Sequence, residues 1–137
     1  MTYPNFNGVF KQAEHYRSIR PMINGIAVFN NATALGNGGA TETIDFAKGH
    51  WQSITLDQHC TVTFLDPPGA TSQVTIMLFV TQGGAGSFQL VWPGATVFAG
   101  GIKPVLSTVA GRKDLLRLQY LNGTWVVTSL GVNIRTV

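Results

Sequence analysis

One cysteine stands in the whole chain, Cys60, so no disulfide can form within a molecule and no thiolate cage for a metal can be built from one copy. It adjoins Thr61-Val62-Thr63-Phe64, a strand-like run, and reads as a small buried apolar residue, the usual place of a free cysteine, rather than as a redox or catalytic thiol. Charge is scarce as well, at 11% of 137 residues against 45% hydrophobic. The formal net charge of +3 is spread as four Lys and Arg against three Asp and Glu over residues 1–50, and five against three thereafter. No basic stripe arises, which speaks against a nucleic-acid partner. So thin a charged surface predicts that part of the apolar surface is covered by copies of the chain or by a partner. Long apolar runs are missing too. The longest, Ile76–Val80, is far too short to cross a bilayer, and no charged-then-apolar signal segment opens the chain. The expectation is a protein made in the cytoplasm that stays soluble, without a membrane partner.

Catalytic equipment is equally sparse. A hydrolase needs paired carboxylates or a nucleophile with its base, and the supply is six acidic residues and three histidines. Asp57, His59 and Cys60 form the one tight cluster, and at a turn between strands Asp57 and His59 read as solvated turn residues. His15 and His50 stand alone, without ligand-like spacing. Gly83-Gly84-Ala85-Gly86 looks like a phosphate cradle, but a strand pattern follows it where a helix would have to supply the donors. The chain is therefore expected to be no enzyme and to carry neither metal nor cofactor. Trp51, Trp92 and Trp125 could form a sugar-stacking platform; at strand positions of a small domain they are expected in the core or a subunit interface.

What is present in quantity is strand pattern. Ile44 and Phe46 alternate with Thr43 and Asp45, Ile54 and Leu56 with Thr55, Val62 and Phe64 with Thr61 and Thr63. Val74, Ile76, Leu78 and Val80 continue the series, and Met77 and Phe79 make the second face of that run apolar, which predicts a strand covered on both sides. Phe88, Leu90 and Trp92 alternate up to Pro93-Gly94, where a missing N–H and a permissive glycine force a turn. Ile102–Leu106, with Pro104 inside it, reads as an extended edge piece. Asn122-Gly123 is the sharpest turn signal, because a type I′ hairpin needs positive φ at both central residues; it would bring Leu116, Leu118 and Tyr120 opposite Trp125, Val127 and Ser129. About eight short strands at this spacing predict an all-β fold, an antiparallel β-sandwich of jelly-roll type.

The first forty residues differ. Tyr3, Phe6, Phe10 and Tyr16 fall at intervals that fit neither helix nor strand, and Asn30–Gly39 has the composition of a flexible connector. Residues 1–40 thus read as an N-terminal arm with its connector and 41–137 as the sandwich domain. An aromatic arm needs a surface to offset the entropy of its ordering. It is expected to pack, through Tyr3, Phe6, Phe10 and Tyr16, on a neighbouring subunit or a shell, the alternative being that it supplies strands to its own core.

Over roughly residues 40–131 the order Trp92-Pro93, Val97, Gly100-Gly101, Pro104-Val105-Leu106-Ser107, Asp114-Leu115-Leu116 and Asn122-Gly123-Thr124-Trp125, with Thr43–Phe46, Trp51–Leu56 and Cys60–Phe64 upstream, resembles a β-rich module of tail fibres and other small virion proteins of tailed bacteriophages. Phe98 departs from that pattern, which often has a second tryptophan there. The resemblance implies a non-enzymatic virion structural protein. The first expectation is a capsid decoration subunit on the head surface, a homotrimer touching the major capsid protein or tail proteins; the alternative is a small tail fibre or receptor-binding protein that recognises a host-surface glycan.

Overall fold

The computed structural model describes residues 33–135 except Ala70, together with two short strands further upstream. These two, β1 (Met22–Ile23) and β2 (Ile26–Ala27), pair antiparallel, Ile23 opposite Ile26. The chain divides into two compact units after Asn31.

The second unit contains β3 (Thr33–Asn37), β4 (Thr41–Asp45), β5 (Trp51–Leu56), β6 (Cys60–Leu65), β7 (Val74–Gln82), β8 (Leu90–Val91), β9 (Val97–Phe98), β10 (Lys113–Leu121) and β11 (Thr124–Ile134). They form a six-stranded sheet in the order β3-β5-β7-β10-β11-β9 and a three-stranded sheet in the order β4-β6-β8. From β3 to β8 the chain visits the larger and the smaller sheet in turn, so each pair of strands makes one rung of a two-sided coil. Strands stacked this way run parallel, Thr41 opposite Thr61, Cys60 opposite Leu90 and Gln52 opposite Leu78. After the third rung the pattern changes. β10 and β11 form an antiparallel hairpin that lies against the free edge of β7, and β9 pairs parallel to β11.

The all-β class and the two-layered core follow expectation, while two finer readings are corrected. The sandwich is not a wholly antiparallel jelly roll: only the β7, β10 and β11 pairings are antiparallel, and the other five pairings of the second unit are parallel. Gly- and Pro-rich corners mark a change of direction equally well whether the next strand pairs back on the last or crosses to the opposite sheet. The connector read at Asn30–Gly39 contains β3, which pairs with β5 from Thr33 opposite Gln52 onward. Its run of Thr-Ala-Leu is too short to show a period, so composition alone hid a strand. Ile102–Leu106, expected as an extended edge piece, joins no sheet.

Alternation places Gln52, Ile54 and Leu56 of β5, Ile76, Leu78, Val80 and Gln82 of β7, and Leu116, Leu118 and Tyr120 of β10 on inward positions, facing Ile44, Val62 and Leu90 of the smaller sheet in one apolar cluster. The two inward glutamines shape corners. Gln52 donates from Nε2 to the carbonyls of Asp45 (2.8 Å) and Gly49 (2.9 Å), fixing the short 3-10 turn between β4 and β5. Gln82 acts as a substitute strand for Phe88, donating to its carbonyl (2.8 Å) and accepting from its N–H (3.1 Å). Gln82 is thus bonded at both ends of its amide and ties the loop to the sheet, whereas Gln52 Oε1 is buried without a partner among the described residues.

Candidate interaction surfaces

The outer face of the larger sheet is the first candidate. Outward positions of β7 are Thr75, Met77, Phe79 and Thr81, all half-buried. Trp51 of β5, 37% exposed, stacks on Phe79 with ring centroids 5.8 Å apart and planes 23° apart. On the other side Leu115 stands opposite Phe79 and Arg117 opposite Met77. Arg117 Nε is shielded from water and has no partner among the described residues. The β11 tail extends the apolar character with exposed Leu130, Val132 and Ile134.

A second surface is the segment between β9 and β10. Ile102, Val105 and Val109 stand 74%, 80% and 59% exposed, yet the backbone beneath them is held firmly. Asp114, wholly buried at the start of β10, accepts from Ser107 N (2.7 Å), Ser107 Oγ (2.6 Å) and Asn133 N (2.9 Å). A carboxylate with three donors joins this segment to both strands of the hairpin. Ser87 N also donates to the Thr108 carbonyl (2.6 Å), and a Cβ on Gly86 would collide with that same oxygen, so glycine is required for the approach. Asp114 was open to detection from sequence as the one acid sharing the inward parity of Leu116, Leu118 and Tyr120.

The third feature is an aromatic stack with a cleft beside it. Phe64 lies between Trp125 (4.4 Å, 13°) and Trp92 (6.1 Å, 17°), and Trp125 meets Tyr120 at 5.3 Å. Trp92 and Trp125 are buried, as a core role for them requires, whereas Trp51 lies on the outer face. The three tryptophans therefore form no common platform, and the two in the stack spend their faces on Phe64. Next to them opens a cleft of about 340 Å³ lined by Thr63, Phe64, Asp66, Thr96, Thr124 and Trp125, with Pro93 and Ala95 at its side. Trp125 Nε1 donates to Asp66 Oδ1 at 2.7 Å, and Thr96 Oγ1 is buried without a partner among the described residues.

The remaining titratable residues are dispersed. His59 Nδ1 accepts the Gln89 N–H (3.1 Å), and His50 Nδ1 meets the Thr75 carbonyl at 2.8 Å, where it must be the donor. Asp57 accepts from Gly39 N (3.1 Å) in the turn where the sequence placed it. Cys60 is buried, and burial pushes its thiol pKa up, with Glu42 and Asp57 adding to the shift, so it stays a protonated and unreactive group. Among the described residues no group of three or more His, Cys, Asp or Glu stands close enough to hold a metal ion, and no helix is long and apolar enough to cross a membrane. Tyr3, Phe6, Phe10 and Tyr16 lie outside the described residues. Comparison with protein-family models, with curated proteins and with solved structures gives no match for this chain.

Proposed function

We propose that the chain is a non-enzymatic structural subunit of a bacteriophage virion, in the first place a decoration subunit of the head surface that assembles as a homotrimer and contacts the major capsid protein. The observation that carries this reading is the outer face of the larger sheet, where Trp51, Met77, Phe79 and Leu115 form an apolar field on a rigid scaffold. Such a field is what a protomer buries against its copies. The firmly held ridge of Ile102, Val105 and Val109 adds a second contact whose ordering entropy has already been lost on folding. The residues before β3, with Tyr3, Phe6, Phe10 and Tyr16, serve as the anchoring segment. Counting copies in intact particles tests the reading: hundreds per particle, with fragile heads on deletion, are expected, whereas a handful confined to the tail overturns it.

One observation favours a second reading, a tail fibre or receptor-binding subunit for a host-surface glycan. It is the cleft beside Phe64 and Trp125, whose lining includes a carboxylate, Asp66, oriented by the Trp125 indole N–H. Deletion would then abolish adsorption and leave heads intact.

A further inference from the structure

We propose that the end of the domain around Asp114 docks an acidic, aliphatic segment of a partner protein; this rests on the ridge between β9 and β10 being a protein contact. The carboxylates of that segment meet Arg112, Lys113 and Arg135, and its apolar side chains cover Val105, Val109, Val132 and Ile134. Charge is segregated along the chain, for residues 67–137 contain five Lys and Arg and a single acid, Asp114. That acid is wholly buried and spends both oxygens on Ser107 and Asn133, so it offers nothing to a cation at the surface. The same three bonds draw the ridge and the β11 tail together. Val109, Arg112 and Asn133 line one open groove of about 240 Å³ with Ser107 and Thr108. Lys113 stands opposite Ile134, and Arg135 follows directly. Arg112 is half-buried, Lys113 and Arg135 are exposed, and none of the three has an ion pair among the described residues. Even with the Asp114 charge set against them, two of these three cations stay without a counter-charge. The backbone that carries the Arg112 guanidinium is pinned to β7: Arg112 N donates to the Val109 carbonyl (3.1 Å), Gly111 N to the Gln82 carbonyl (2.6 Å) and Gln82 N to the Arg112 carbonyl (2.8 Å).

The pairing of unneutralised cations with exposed aliphatics selects the partner. A second copy brings no free acid, because each described carboxylate is already engaged: Glu42 with Lys48, Asp45 with Ala47 N, Asp57 with Gly39 N, Asp66 with the Trp125 indole, and Asp114 as above. A phosphate polymer would serve the cations and leave four aliphatic side chains in water. An anionic membrane would use both kinds of residue, but no Trp, Tyr or Phe stands among these seven to sit at headgroup level. A protein segment that alternates acidic and aliphatic side chains matches both halves of the surface. Its carboxylates find donors in the groove, where the Arg112 guanidinium, the Thr108 hydroxyl and the Asn133 amide stand in a wall without a carboxylate.

The test is a two-dimensional NMR titration of the full chain with a short capped peptide that alternates glutamate with leucine. Its counterparts are the same peptide with glutamine for glutamate, polyglutamate, phosphatidylglycerol vesicles and a thymidine oligonucleotide. The glutamate–leucine peptide is expected to shift the amide signals of residues 105–113 and 131–135 saturably, and to bind more weakly as salt rises. Polyglutamate and the glutamine peptide should each bind at least severalfold more weakly. Arg112→Gln should weaken binding about tenfold through loss of a charge-assisted pair, and Val109→Ser severalfold through lost apolar burial. Thermal melts report that both variants keep the fold, and Lys113→Gln serves as a further charge variant. The proposal is overturned if the peptide shifts none of these signals, if the variants bind as the parent does, or if vesicles or the oligonucleotide bind more tightly than the peptide. Equal binding of the glutamine peptide removes the acidic partner and keeps the ridge as an apolar contact. The copy number in intact particles is read independently, so failure here leaves the decoration reading standing, and failure there leaves this surface standing.

Discussion

The coil of β3 to β8 and the hairpin of β10 and β11 share one core but are specified in different ways. In the hairpin, Leu121 pairs with Thr124 and Tyr120 with Trp125 across Asn122-Gly123, whose φ angles of 49° and 78° suit a type I′ turn. Partners are set by the nearest turn. In the coil, Cys60 pairs with Leu90 and Ser53 with Phe79, and no single turn joins them. Its corners are held instead by buried side chains bonded to backbone, Gln52 at the first and Gln82 further on. Long-range parallel stacking is clasped corner by corner, whereas the hairpin takes its register from its turn and is clasped by Asp114 only at its far end.

The clasps are the place to break this contrast. Asp114→Ala should have the largest effect, about 3 kcal/mol or more, because it leaves the N–H groups of Ser107 and Asn133 unpaired beside a new cavity. Urea unfolding would show it as a drop in midpoint with unchanged slope. Gln82→Ala comes next at roughly 2 kcal/mol, since both backbone groups of Phe88 lose their partner. Its effect is expected in the unfolding rate if the third rung forms late. Gly123→Ala should cost about 1 kcal/mol for placing a Cβ at positive φ, and should appear chiefly as slower folding if the hairpin is the local nucleus. Equal partition of the two variants between folding and unfolding arms of the chevron would erase the distinction.

The smallest effect sharpens the account of the coil interior. The Cys60 thiol has its pKa raised in the folded state, so the unfolded chain loses its proton first as pH rises. Stability from this group is therefore intact below the ordinary thiol range, near about 8.5, and declines as pH climbs above it. Iodoacetamide should label Cys60 only in denaturant. Rapid labelling of the native protein would contradict its burial.

The same contrast explains what could be read in advance. Inward and outward parity was legible wherever four or more residues alternated, as in Val74–Val80, and the register of Leu116, Leu118 and Tyr120 on Ser129, Val127 and Trp125 was legible because Asn-Gly admits few loop lengths. Parallel stacking was not, since alternation names the buried face and leaves the neighbour open. Of the candidate surfaces, the two-sided apolar character of β7 pointed to the outer face. The cleft did not show, for Asp66, Thr96 and Trp125 are far apart in the chain and meet only through the fold.

Assembly through the outer face is the central claim, and light scattering on the purified chain at micromolar concentration addresses it most directly. The parent chain should scatter with three times the monomer mass of 14.7 kDa, and Phe79→Glu, which places a charge in the centre of the apolar face, should scatter as a folded monomer. A parent chain that remains at 14.7 kDa, or a Phe79→Glu variant that keeps the trimer mass, would contradict the account.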